Sequence, residues 1–130
     1  MKFIRFSMMD STKVAEVSKV SDKLLASAPK GVKAQAIYAC MGIVFPEQPT
    51  NTTISINVLE AESAEALAIV SYPLTQAGAT VWAVPILDVP VGGSAQVEKK
   101  LKGVVNSWVE AAAQLGEHAQ RSEDVVEEPR

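Results

Sequence analysis

Three polar side chains occur in alternating patterns that could build a small-molecule site. Arg5 lies in the run 3–8, and Ser55 and Asn57 lie in the run 53–58, where residue types alternate with the period of two that is typical of a strand. A guanidinium can meet an anion, while a hydroxyl and an amide supply neutral hydrogen bonds. Tyr38 and Trp82 could add apolar walls, as small-molecule pockets usually have. These five residues are the predicted ligand contacts, and no catalytic set is predicted.

The other reactive side chains lack suitable partners. His118 is the single histidine and falls late in the last predicted helix, which is a poor place for the base of a catalytic triad. Cys40 has no second cysteine or nearby histidine for a zinc site and is predicted to be a small core residue. Gly92 and Gly93 lack the spacing of a phosphate-binding loop and are predicted to form a hinge. The sequence therefore predicts no metal site and no cofactor.

The order of apolar patterns predicts the elements that would position the site. Alternating runs at 3–8, 53–58 and 81–89, with the β-branched and aromatic segment 32–45, predict four strands. Apolar residues at helical spacing predict helices over 14–28, 63–78 and 97–115. Asp10 and Ser63 are suitable N-caps, and Pro73 predicts a kink or a break in the second helix. Pro85 predicts that the last strand is an edge strand.

This order predicts an α+β fold, a ferredoxin-like βαββαβ antiparallel sheet with an added long C-terminal helix. Right-handed crossovers place both of the first two helices on one face and the first and third strands at the centre. The predicted helix-facing side carries Ile4, Phe6, Met8, Ile54, Ile56 and Val58. The opposite, open side then carries Phe3, Arg5, Ser7, Thr53, Ser55 and Asn57.

The open side of this predicted sheet has two interpretations. It could be solvated, as antiparallel sheets allow. Phe3 and Trp82 on it would nevertheless form a large apolar patch for a monomer, so we expect a second subunit or the C-terminal helix to cover it. The favoured interpretation predicts a homodimer or a larger homo-oligomer.

Three segments resemble the dimeric α/β-barrel superfamily, and in particular its small uncharacterised prokaryotic members. They are the N-terminal strand 1–7 (MKFIRFS), the helix entry 61–67 (AESAEAL) and the last strand 84–88 (VPILD), and the resemblance covers roughly residues 1 to 90. The resemblance implies homodimers in which two sheets pair into a barrel. Related families include cofactor-free monooxygenases, lactone isomerases, haem enzymes and small-molecule sensors, so it implies no single chemistry. The long C-terminal helix departs from the minimal pattern.

Composition excludes several classes of protein. A length of 130 residues predicts one domain, residues 1–120, followed by a flexible acidic tail over residues 121–130. The net charge of −3 argues against nucleic acid, and no apolar stretch is long enough to predict a membrane span. Arg5 inside the short N-terminal apolar run argues against a signal peptide, and the single cysteine fits a reducing compartment. We therefore expect a cytoplasmic location.

The function predicted from these observations is binding of a small, largely apolar molecule by a homodimeric α/β-barrel protein. One alternative is a cofactor-independent enzyme of the same superfamily, of the monooxygenase, isomerase or decarboxylase type. Another alternative is an assembly or scaffold protein whose interface is the functional surface. The sequence leaves the ligand unidentified.

Overall fold

The computed structural model describes residues 1–127, and it describes side chains for residues 1–116. The chain divides into two compact units, Met1–Leu87 and Asp88–Arg130. The elements of the first unit are β1 (Lys2–Asp10), α1 (Val14–Ala26), β2 (Val32–Ala39), β3 (Thr52–Ala61), α2 (Ala64–Gln76) and β4 (Thr80–Pro85), with a 3₁₀ turn at Ser11–Lys13 before α1. The predicted single domain over residues 1–120 stays a prediction.

The four strands form one antiparallel sheet in the order β2-β3-β1-β4. With helices after β1 and β3, this order is the ferredoxin-like arrangement, and the predicted fold is confirmed. β1 and β3 are the central strands and β4 is an edge strand, as predicted. β4 is shorter than the predicted run 81–89, because it ends at Pro85.

Local signals account for most of the element boundaries. The Ala66 N–H donates to Ser63 Oγ at 3.1 Å, so the predicted cap of α2 is confirmed. The Thr12 backbone N–H donates to Asp10 Oδ1 at 2.9 Å, so Asp10 caps the 3₁₀ turn that leads into α1 rather than α1 itself. Gly78 follows α2 with a φ of 109°, a value that favours glycine. α2 continues through Pro73 to Gln76, so of the predicted kink or break the break does not occur, and the kink stays a prediction.

β2 is shorter than the sequence predicts. It ends at Ala39, whereas the β-branched pattern continues to residue 45, and residues 40–51 form the connection to β3. Within β2 the register shifts between Ala34 and Ala36, which marks a β-bulge.

The two faces of the sheet are the reverse of the prediction. Met9 packs with Val17 of α1 and Leu74 of α2, so Phe3, Arg5, Ser7 and Met9 alternate onto the helix-facing side. Ile4, Phe6 and Met8 therefore lie on the open side with their partners Val58, Ile56 and Ile54. The prediction was wrong because it placed the most apolar alternate residues under the helices, whereas the polar set Arg5, Ser7 and Asn57 is buried there.

The open side of the sheet is partly covered by the chain itself. Phe6 stacks on Trp82 with ring centroids 5.2 Å apart, and Phe45 meets Trp82 edge-on at 6.4 Å. Phe45 belongs to the β2–β3 connection, and Trp82 lies on the edge strand at the far side of the sheet. The connection therefore crosses the open face.

The second unit contains one long helix, α3, over Ser94–Glu127. Several of its apolar side chains are exposed, among them Val104 and Trp108. The predicted acidic tail, residues 121–130, and His118 lie beyond the residues whose side chains are described. No helix within the described part of the chain combines the length and the apolar character that a membrane crossing requires.

Candidate functional site

Arg5 is a buried cation that links the sheet to α2. It lies on the central strand β1 and is 1% exposed. Its Nη1 donates to the carbonyl oxygen of Val70 at 2.8 Å and to Ser71 Oγ at 3.5 Å, and both acceptors belong to α2. Its Nε and Nη2 donate to Asn57 Oδ1 at 3.3 and 3.2 Å. The guanidinium is therefore held by neutral acceptors on two elements.

Among the described residues, no carboxylate forms an ion pair with Arg5. Burial removes the guanidinium from water and lowers the pKa of Arg5 from 12.5 to about 10. That shift corresponds to roughly 3 kcal/mol of lost solvation of the charged form, at 1.36 kcal/mol per pKa unit. Arg5 remains protonated at neutral pH, so it places an uncompensated positive charge under the helices.

Asn57 lies directly opposite Arg5 in the β1–β3 ladder and is 2% exposed. Its Oδ1 accepts both guanidinium bonds, which fixes the orientation of the amide. No described residue accepts a hydrogen bond from its Nδ2. An amide group has two N–H donors at this nitrogen, so Asn57 keeps unused donor capacity.

Ser7 is the third buried polar residue on this face. It is 1% exposed, and its Oγ has no hydrogen-bond partner among the described residues. An unsatisfied buried hydroxyl costs free energy, and its presence in a packed unit calls for an explanation. The prediction from sequence placed Ser7 on the same face as Arg5 but did not include it in the site. Its strand parity with Arg5 was the signal that could have found it.

A cavity of about 190 Å³ lies between α1 and the helix-facing side of the sheet, and we call it the α1–sheet cavity. Its inner wall includes Ser7 and Asn57, so two of the three buried polar residues border this cavity. The residues that line it are Ser7, Met9, Val14, Val17, Ser18, Ser21, Asp22, Ile37, Tyr38, Ala39, Thr53, Ile54, Ser55, Asn57 and Leu74. Eight of these fifteen residues have polar side chains, but most of the exposed wall surface is apolar, which is usual for a small-molecule site.

Larger depressions elsewhere carry none of the buried polar side chains. One of about 320 Å³ lies around Gly31 and Glu60, and one of about 490 Å³ lies beside the β2–β3 connection. The described residues that are both polar and buried are Arg5, Ser7 and Asn57. We therefore place the candidate site at the α1–sheet cavity.

The structure brings some of the predicted ligand contacts together and separates others. Arg5, Ser55 and Asn57 share the helix-facing side, and Ser55 lines the cavity. Trp82 lies opposite Phe6 on the open side and stacks on it, so it does not share a face with Arg5, Ser55 and Asn57. Tyr38 borders the cavity at the sheet edge, but its register opposite Ile56 places its side chain on the open side, where it is 59% exposed.

The part of the chain that the structure describes contains no set of side chains suited to bind a metal ion. No group of three or more histidine, cysteine, aspartate or glutamate side chains is close enough there to hold an ion. What the α1–sheet cavity offers instead is a pair of neutral hydrogen-bonding groups, Ser7 and Asn57, backed by the charge of Arg5. Such an arrangement can orient a polar group of a small molecule.

Comparisons with known proteins give a likeness in structure only. A scan against protein-family models and a search of curated proteins found no match. Among solved structures, the chain is similar to the C-terminal domain of the MgtC protein from Mycobacterium tuberculosis, with 13% identity, a TM-score of 0.47, and coverage of 64% of this chain and 84% of that one.

Two further structures are similar to this chain. A dimeric ferredoxin-like protein of unknown function from Jannaschia sp. CCS1 has 12% identity and a TM-score of 0.43, over 66% of this chain and 100% of that one. A DUF3240 family protein from Shewanella baltica OS155 has 11% identity and a TM-score of 0.35, over 68% and 93%. Because all three scores are low, the fold assignment rests on the strand order and connectivity of this chain itself.

Proposed function

We propose that this protein binds a small molecule in the α1–sheet cavity and does so as a homodimer. The observation that carries the first part is Ser7, a residue of the cavity wall whose buried hydroxyl has no hydrogen-bond partner among the described residues. A bound molecule that hydrogen-bonds to Ser7 Oγ would remove the cost of leaving that group unsatisfied.

The size of the α1–sheet cavity supports a ligand rather than an isolated water. At roughly 30 Å³ per water molecule, 190 Å³ corresponds to about six waters. An engineered apolar cavity of about 150 Å³ accommodates benzene, so a single aromatic ring with a small substituent is a suitable size. Met9, Val17 and Leu74 supply an apolar wall for such a ring.

The homodimer is supported by the apolar surface on the open side of the sheet. Tyr38 and Val84 are 59% and 47% exposed there. In the connection that crosses this face, Met41 and Ile43 are 97% and 77% exposed. We call these four residues the open-face patch. Apolar exposure on one side of a small protein is typical of an interface, and a stable dimer buries about 800 Å² on each subunit.

A reducing, cytoplasmic location is part of the same proposal. It is supported by the single cysteine, Cys40, which can form no internal disulfide.

The experiment that tests ligand binding is a titration of the ¹⁵N-labelled full chain with benzamide, followed by NMR. We expect shifts centred on Ser7, Val17 and Asn57. Ser21→Leu fills the cavity from α1 and should abolish them, whereas Lys19→Leu adds the same side chain to an exposed position of α1 outside the cavity wall and should not. Shifts confined to Trp82 and Val84, or shifts that persist in Ser21→Leu, would contradict the proposed site.

A further inference from the structure

The inner wall of the α1–sheet cavity is rich in hydrogen-bond donors. Asn57 Nδ2 has two N–H groups and no acceptor among the described residues, and Ser7 Oγ is likewise unpartnered. The two residues lie on adjacent strands, since Arg5 pairs with Asn57 and Ser7 pairs with Ser55. Side chains in such a diagonal relationship are about 7 to 8 Å apart, close enough for one polar group to lie between them.

Arg5 determines which atom of Asn57 is left for a ligand. Two of its N–H groups donate to Oδ1, so the amide oxygen is occupied and the amide nitrogen is the remaining polar atom. A positive charge next to an amide oxygen also polarises the amide and strengthens its N–H groups as donors. Arg5 itself does not line the cavity, so its influence on a ligand passes through Asn57.

The opposite wall differs in charge. Asp22 of α1 also lines the cavity and is exposed, so a carboxylate borders the cavity on the helix side. An acceptor group on a ligand would be repelled by Asp22 and attracted by Asn57, Ser7 and the charge of Arg5. The two walls of the cavity therefore differ: the sheet side favours hydrogen-bond acceptors of a ligand, and the α1 side disfavours them.

We propose that the cavity selects ligands that present an acceptor oxygen, of a carbonyl or a carboxylate, to Asn57 Nδ2 and Ser7 Oγ, on an apolar body about the size of a benzene ring. Arg5 is a positioning residue for Asn57. This inference rests on the proposed function and adds the chemical class of the ligand.

Four probes with the same ring and different head groups test this selectivity. Benzamide and benzoate carry acceptor oxygens, benzylamine carries only donors, and toluene carries neither. In titrations of the full chain, benzamide and benzoate should bind about tenfold or more tightly than toluene, as expected for hydrogen bonds to a polarised donor, and benzylamine should bind most weakly.

Asn57→Asp provides the sharpest variant. It keeps an acceptor for Arg5, now as an ion pair, so the fold should be retained. It also replaces Nδ2 by a carboxylate oxygen, which should reverse the preference so that benzylamine binds and benzoate does not. Asn51→Asp makes the same chemical change in an exposed turn with a positive φ, and it should leave the preference unchanged.

The positioning role of Arg5 is tested by Arg5→Met and Arg5→Lys. Arg5→Met should remove the benzamide preference while toluene still binds, because the amide of Asn57 is then free to rotate. Arg5→Lys retains a cationic donor for Asn57 Oδ1 and should restore part of the preference. If Arg5→Met fails to fold, it will also lose toluene binding. In that case the reversed preference expected for Asn57→Asp tests the proposed selectivity.

The outcomes separate this inference from the proposed function. If all four probes bind with similar affinity and Ser21→Leu abolishes binding, the cavity is a ligand site and the inferred selectivity is wrong. If none of the probes binds, both are overturned. If benzylamine binds best to the unsubstituted protein, the assignment of Asn57 as the donor is wrong.

Discussion

Arg5 and Asn57 face each other across the two central strands, and two N–H groups of the guanidinium converge on the single amide oxygen at 3.3 and 3.2 Å. This pair of residues contributes both to folding and to the candidate site. It satisfies a buried charge that has no carboxylate partner among the described residues. It also leaves the amide nitrogen of Asn57, a residue of the cavity wall, without an acceptor among those residues.

Asn57→Leu should lower the free energy of unfolding by about 2 kcal/mol or more, because it removes the acceptor of two N–H groups on a buried charge. Arg5→Met combined with Asn57→Leu should lose less than the two single variants together, with a coupling energy of about 1 to 3 kcal/mol. Urea denaturation of the four proteins measures both quantities. Equal midpoints for Asn57→Leu and the unsubstituted protein would show that the pair contributes nothing to folding.

Two serine-to-alanine changes should have opposite effects. Ser7→Ala removes a hydroxyl with no partner and should leave the free energy of unfolding unchanged or slightly raised. Ser63→Ala removes the N-cap acceptor of α2 and should lower it by about 1 kcal/mol. Denaturation under identical conditions compares them. A loss in Ser7→Ala as large as that in Ser63→Ala would mean that the Ser7 hydroxyl has a partner in solution.

Asp10 should make stability sensitive to acid. Hydrogen bonds from the Thr12 side chain and backbone, together with the charge of Lys13, hold the pKa of the Asp10 carboxyl below its ordinary value of 3.8. Its contribution is therefore fully present above about pH 4 and is lost as the pH falls through the lower, folded-state pKa. The difference in denaturation midpoint between the unsubstituted protein and Asp10→Ala should shrink across that range. A difference that widens as the pH falls below about 4 would contradict this linkage.

The open-face patch should control assembly. Val84→Glu places a charge on the exposed apolar side of the edge strand and should convert the dimer to a monomer. Ile69→Glu is a matched control, because Ile69 is similarly exposed (51% against 47%) but lies on α2. Light scattering should give twice the chain mass of 13.8 kDa for the unsubstituted protein and the control, and 13.8 kDa for Val84→Glu. A mass of 13.8 kDa for the unsubstituted protein at micromolar concentration would contradict the homodimer.

The order of strands and helices could be predicted from sequence because apolar periodicity reports secondary structure directly. The capping roles of Asp10 and Ser63 follow from residue type alone, although Asp10 caps the 3₁₀ turn before α1 and not α1 itself. The predicted break at Pro73 does not occur, since α2 continues through this residue. Tertiary packing can maintain a helix across a proline that local propensity disfavours.

Which face of the sheet lies under the helices could not be predicted in the same way. Ile4, Phe6 and Met8 are more apolar than Arg5, Ser7 and Met9, yet the second set lies under the helices. Burial of Arg5 depends on acceptors from Val70 and Asn57, which are 65 and 52 residues away in the chain, and no local pattern encodes such contacts. The apolar set is instead partly covered by Phe45 from a connection that the sequence predicts as strand.

The most direct test of the central claim is an isotope-filtered NOE experiment on the full chain with bound benzamide, which reports which methyl groups lie near the ring. Val17 and Leu74 line the α1–sheet cavity, whereas Val84 belongs to the open-face patch. The structure predicts NOEs from the ring protons to Val17 and Leu74 and none to Val84. NOEs to Val84 without those to Val17 and Leu74 would place the ligand on the open side and contradict the proposed site.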